Sequence, residues 1–290
     1  MVILSGLLAA TGYALGTVLQ QRGALQTGDA VSGWRFLVVL FRRPVWLLGG
    51  VVMAVGWVFQ AVALHTGSLM QVQSLVTLSL VIALPFGAWL TAQRITRAVW
   101  AGAAALVIGI VLFLSLGSPS GGTESPAARD WWIAGGVSAG LALVLARFGA
   151  RRGGAVRALA YGAGSGLGYG FATAVTKVFT GIVGGGLSAL LGSWETYVMV
   201  GAGVVGMALN QSALRTGALA PAMAATNAMT LLTCIVLGLT VFGESIQHGG
   251  GQLVVVVVGL GLALLGIVLL AAAPAARPAA EASRGEEAKR

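Results

Sequence analysis

The sequence predicts an all-α integral membrane protein. About nine transmembrane helices form two inverted four-helix repeats joined by a connecting helix. Three observations predict this: a series of long apolar segments, a one-sided distribution of basic residues, and an internal repeat. Hydrophobic residues make up 57 % of the 290 positions and charged ones only 9 %. A soluble domain is about 25 % charged, so an ordinary cytosolic enzyme and a disordered chain are both excluded.

A helix needs about 20 apolar residues to cross a bilayer. Segments of that kind fall at 2–19, 45–64, 69–90, 98–117, 131–148, 158–181, 196–214, 219–242 and 251–273. The first is read as an uncleaved helix, because no basic residue precedes it and Arg22 follows it. Between the first two spans, Trp34 to Arg43 is too short to cross. It reads as an interfacial helix, with Trp34 at headgroup level. The third span contains Pro85 and the eighth begins near Pro221, positions where proline bends or starts a helix. The fifth span, the connector, follows a linker from Ser118 to Arg129 rich in Gly, Ser and Pro. In the sixth, Gly164, Gly166, Gly168 and Gly170 alternate, a spacing that spreads around the helix. The tail from Pro274 is Ala, Pro, Glu and Arg and cannot bury a core. The expected divisions are a first repeat at 1–117, a linker with the connecting helix at 118–157, a second repeat at 158–273, and a disordered cytoplasmic tail at 274–290.

Lys and Arg number 17 against 8 acids, a formal charge of +9. Nucleic acid is the usual partner of such a surplus. With the N-terminus outside, however, the inner loops collect Arg22, Arg35, Arg42, Arg43, Arg94, Arg97, Arg147, Arg151, Arg152, Arg157, Arg215 and the basic tail. Outside there is only Arg129. This is a positive-inside pattern. It predicts a multi-pass protein of the plasma (inner) membrane, with the N-terminus outside, the C-terminus cytoplasmic, and anionic lipid rather than nucleic acid beside the basic residues.

The repeat is visible in Ala63-Leu64-His65-Thr66-Gly67-Ser68-Leu69 against Ala213-Leu214-Arg215-Thr216-Gly217-Ala218-Leu219. Gly12-Tyr13 and Thr17 likewise match Gly168-Tyr169 and Thr173. The matched helices are five crossings apart, so they run in opposite directions. Inverted repeats place a substrate near the midplane at their shared interface.

Polar residues in hydrocarbon are costly unless they face a cavity or another helix. Tyr13, Thr17 and Gln20 share one face of the first span, and Tyr169, Thr173 and Thr176 repeat it in the sixth. Gln73 and Thr77 add to it from the third span. Asn210 occupies the repeat position of Gln60, and Asn227 that of Thr77. Tyr13, Thr17, Gln20, Gln73, Thr77, Tyr169, Thr173, Lys177, Asn210 and Asn227 are the expected substrate-binding residues. Interhelical hydrogen bonding is the competing role for the same groups. Lys177 is the ionisable residue well inside a span. Either it snorkels to the interface, or it is a counter-charge for an anionic group. Glu244, at the outer end of the eighth span, reads as an interfacial anchor. No P-loop, His or Cys metal cluster, or nucleophile elbow is present, so the expectation is a non-enzyme without metal or cofactor.

Gly12 to Gly23, Gly166 to Lys177 and Asn210 to Glu244 resemble the drug/metabolite transporter superfamily, and within it the nine-span NIPA-type branch named for magnesium transporters. The resemblance implies a secondary transporter working by alternating access. Where such proteins commonly close the third helix on an acidic–basic pair, this chain has Gln93-Arg94. No span contains a carboxylate, and magnesium favours carboxylate oxygen. A small neutral, zwitterionic or anionic solute therefore suits the polar, positively charged interior better. Magnesium transport, a lipid-linked substrate flippase with Arg22 and Arg43 near a headgroup, and a non-transporting scaffold are the alternatives. One chain already holds both halves, so no oligomer is required.

Overall fold

A computed structural model describes residues 1–25, 42–91, 96–123, 126–214, 216, 218–246 and 252–272. Most of the expected interfacial helix, Gln93-Arg94, Arg215 and the tail lie outside the described residues.

Among the described residues the chain is helical, without a named strand, and nine helical segments are long and apolar enough to cross a membrane. In order, the helices are α1 (Val2–Leu25), α2 (Pro44–Thr66), α3 (Leu69–Thr77), α4 (Ser79–Thr91), α5 (Arg97–Gly117) and α6 (Ala128–Ala150). There follow α7 (Gly154–Ile182), the short α8 (Gly186–Gly192), α9 (Trp194–Leu214), α10 (Leu219–Thr240) and α11 (Gln252–Ala272). Each expected span is present within a few residues of its ends. The third is split into α3 and α4, and the break falls at Leu78, seven residues before Pro85. The Leu78 amide bonds to Leu75 and Val76, a tightened last turn. Pro85 itself lies within α4, whereas Pro221 stands in the first turn of α10, where its missing N–H removes no helical bond.

Large apolar side chains point outward. Val51, Val55, Val58 and Val62 form an exposed stripe along α2, and Val254, Val257, Leu265 and Val268 are exposed on α11. Trp132, Trp89 and Trp100 are also exposed, near helix ends, as in the aromatic belts of membrane proteins. The interior, by contrast, is rich in Ala and Gly. Ala9, Ala10, Ala63, Ala174, Ala213 and Ala222 are fully buried. This inversion suits a chain whose helices are held by close packing instead of hydrophobic exclusion from water.

Helix α7 is the hub. Gly162, Gly166 and Gly170 lie against Ala222, Thr226 and Thr233 of α10. Gly164 approaches Ala142 of α6, and Gly168 meets Gly206 of α9. The alternating glycines are thus divided among three neighbours, and one set forms a small-residue stripe at i, i+4, i+8. A close approach recurs between α1 and α2. A Cβ on Gly12 would stand 2.7 Å from the Gly56 Cα, and one on Gly168 would stand 2.9 Å from the Gly206 Cα. Helices α5 and α11 form a further pair, in which Gly109 lies against the backbone of Gly259 and Ala263.

The described arginines separate by end. Arg22, Arg43, Arg97, Arg147, Arg151, Arg152 and Arg157 are at one end of the bundle, at the finish of α1 and α6 and the start of α2, α5 and α7. The opposite end carries the first turn of α1, Ser68, the segment after α5, Asp130 and Glu244. Arg129 is the one described arginine on that side.

Candidate functional site

The site is built where α3 begins. The first amides of a helix have no partner within it. Ser68 caps α3 by accepting the Gln71 N–H at 3.1 Å, and the Val72 N–H reaches the Ser68 carbonyl at 3.0 Å. The Leu69 and Met70 amides remain, and both donate to the carboxylate of Glu244: Leu69 to Oε1, Met70 to Oε2 at 3.0 Å. The negative charge also lies favourably at the positive end of a helix dipole.

Lys177 completes the arrangement. Its Nζ donates to Glu244 Oε1 at 2.6 Å, with side-chain exposures of 11 % and 0 % for Lys177 and Glu244. The ammonium also stands 4.8 Å from the centre of the Phe242 ring. Taking both charges out of water is expensive, and three charge-assisted donors on one carboxylate offset that cost. Lys177 thus has a buried partner instead of a snorkelled position. The expectation of an interfacial anchor at Glu244 is corrected: the residue is buried between α3 and α7. The chain turns sharply at Gly243, whose φ of +64° is a left-handed value favouring glycine. That turn carries Glu244 back over the helix ends, and the Glu244 N–H bonds to the Gly238 carbonyl at 2.8 Å.

A short seam fixes this turn. Ser120 and Ser245 exchange backbone hydrogen bonds as an antiparallel bridge, and the Thr123 N–H donates to the Phe242 carbonyl at 2.8 Å. Ser68 Oγ donates to the Pro119 carbonyl at 3.2 Å. Beside it, Trp131 meets Phe171, Trp194 and Phe242 edge-on, with ring centres 5.7–5.9 Å apart. The ion pair is therefore roofed by backbone and flanked by aromatic rings.

The other predicted residues divide into local groups. The Tyr13 hydroxyl donates to Gln60 Oε1 at 2.6 Å, joining α1 to α2. Tyr169 lies beside the side chains of Ser165 of its own helix and Asn210 of α9. These two tyrosine–amide pairs are the ones that the repeat equates. Asn210 Oδ1 also accepts from Thr226 at 3.4 Å. Thr77 and Thr173 donate to the carbonyls of Gln73 and Tyr169 four residues earlier, so their protons are used within their own helices. Asn227 does the same towards Met223 through its amide. Thr17 is exposed on α1, and Gln20 lies along Gly49 of α2. Gln73 is buried, and its Oε1 has no partner among the described residues. A cavity of 290 Å³ is lined by Gly153, Gly154, Arg157, Ser212 and Thr216. One of 490 Å³, mostly apolar, lies between α6, α7 and α10. None of the ten predicted residues lines either.

No family model matches the chain, and no solved structure matches it. It is similar to an uncharacterised protein of Corynebacterium glutamicum, 27 % identical over 252 residues. That alignment covers 85 % of this chain and 86 % of the relative. The likeness runs through most of both chains and brings no activity with it. Among the described residues, no three His, Cys, Asp or Glu side chains come together as a metal site.

Proposed function

We propose that this protein is a secondary transporter of a small organic solute, working by alternating access between two inverted halves of the plasma membrane protein. The observation that carries this reading is the carboxylate of Glu244. It arrives from the second half, pairs with Lys177 of that half, and holds the first amides of α3 in the other half. One end of the bundle is thereby closed by a single polar knot. A transporter needs such a closure on one side at a time. Two further features support the reading. The Tyr13–Gln60 and Tyr169–Asn210 pairs occur at positions that the repeat equates, as do the Gly12–Gly56 and Gly168–Gly206 contacts. The arginines gather at the end away from Glu244, which under the positive-inside rule supports an outer position for the Glu244 end.

Magnesium fits this site poorly, because the one carboxylate in it already holds an ammonium. The apolar 490 Å³ cavity supports a second reading, a lipid-linked substrate with an acyl chain in that groove. Proteoliposomes preloaded with a defined mixture of amino acids and organic acids test the first reading by mass spectrometry of what leaves. Efflux above protein-free vesicles, reduced by Lys177→Ala and Tyr13→Phe, is expected. Efflux unchanged by both substitutions would remove these residues from the path. Movement of a labelled lipid with no solute efflux would favour the second reading.

A further inference from the structure

We propose that the Leu69 and Met70 amides and the Lys177 ammonium form a carboxylate site that Glu244 fills in the closed molecule, and that a small carboxylate bearing a hydrogen-bond donor takes its place when this end opens. The proposal rests on the transport reading for its second clause only.

The occupant is detachable, whereas the donors are not. Leu69, Met70 and Lys177 belong to helices, but Glu244 stands on a turn beyond the end of α10. The turn is held by the backbone seam at Ser120 and Ser245, by the Ser245 hydroxyl on the Ser120 carbonyl, and by the buried Phe242 ring against Trp131, with Gly243 in a left-handed conformation. Separating α3 from α7 at this end would withdraw the carboxylate from one of them, because Glu244 bonds to both. Withdrawal leaves a cation and two amides without an acceptor, beside Trp131, Phe171 and Phe242. A buried charge that loses its partner is strongly disfavoured. An incoming carboxylate replaces what Glu244 removes, so binding of the solute and release of Glu244 become one exchange.

A second observation points to the rest of the ligand. Gln73 follows Leu69 by four residues, one turn along the same face of α3. Its Oε1 is buried without a partner among the described residues. Buried acceptors are rarely left so. An amine or hydroxyl next to the solute's carboxylate would supply the missing donor, which makes an amino- or hydroxy-carboxylate the fitting class.

The test is chemical rescue in detergent. Glu244→Ala deletes the occupant, and propionate supplies the deleted carboxylate on a chain one carbon longer than the part removed. Its thermal midpoint is expected to rise saturably with propionate, and not with chloride at equal ionic strength. The rise should vanish when Lys177→Met is added. A midpoint that follows chloride equally, or that still rises without Lys177, overturns the site. Should Glu244→Ala fail to fold, the wild-type chain gives a second readout. Its one cysteine, Cys234 of α10, is buried with Sγ 3.6 Å from the Gly170 carbonyl of α7, between the helix that leads to Glu244 and the helix that carries Lys177. Several-fold faster maleimide labelling of Cys234 in propionate than in chloride is expected, and equal rates overturn the proposal. Rescue without any solute efflux would refute the transport reading and leave the carboxylate site standing. Efflux without rescue would overturn the carboxylate site alone.

Discussion

At the scale of single residues, the ion pair dominates. Removing one partner of a buried pair costs about 3–5 kcal/mol, because the other charge stays behind. Lys177→Met and Glu244→Gln are each expected to destabilise by that order in a denaturant titration, and the double variant by clearly less than their sum. A double-mutant cycle measures the difference. Gly238→Ala is expected to weaken the same pair by direct crowding, read as a lower midpoint in the same titration. Its Cβ would stand 2.6 Å from Glu244 Oε2 and 2.8 Å from Met70 Cγ, so the carboxylate must shift. Tyr13→Phe, by comparison, removes one interhelical hydrogen bond, and such bonds in membranes average about 0.6 kcal/mol. Lys177 was legible in the sequence because a lysine inside an apolar span is conspicuous. Glu244 was not. It follows the end of a span, where carboxylates are ordinarily solvated, and its partner is 67 residues away. The one available sign was Phe242-Gly243-Glu244, a glycine able to turn the chain back on itself.

At the scale of elements, hydropathy located the spans because every residue facing lipid must be apolar, whichever helix it belongs to. It was silent on which helices touch. The alternating glycines of α7 read as a uniform scatter, yet each subset answers to a different neighbour. Substitutions should divide accordingly. Gly166→Leu would drive a side chain into the α10 backbone at Thr226 and Thr230, and is expected to abolish a monodisperse peak in size-exclusion chromatography. Gly181→Leu, on the same helix with open space around it, should elute as wild type. The break at Leu78 was likewise hidden. Pro85 is the one residue in this span whose type signals a bend, whereas the break at Leu78 falls in a run of Leu, Val, Thr and Ser that carries no composition signal.

At the scale of the whole molecule, charge and end placement agree. Single-cysteine reporters in a Cys234→Ala background are expected to react with an impermeant maleimide in intact cells at Ser120 and not at Arg151. The reverse result would invert the topology and place the closed end inside. The inverted repeat is a proposal resting on short matching words, at whose positions Tyr13, Gln60, Gly12 and Gly56 stand against Tyr169, Asn210, Gly168 and Gly206. Polarity alone, however, did not separate groups facing a solute from hydroxyls bonded within their own helices, as at Thr77 and Thr173.

The long separation between Lys177 and Glu244 has a consequence for biogenesis. At about 5–20 residues per second, a ribosome needs roughly 3 to 13 s to travel the 67 residues from one to the other. Throughout that interval α7 waits in the translocon or the bilayer with an uncompensated charge. Its final seating is therefore deferred until α10 and the turn beyond it emerge. A nascent chain that ends before Glu244 holds that lysine without its partner.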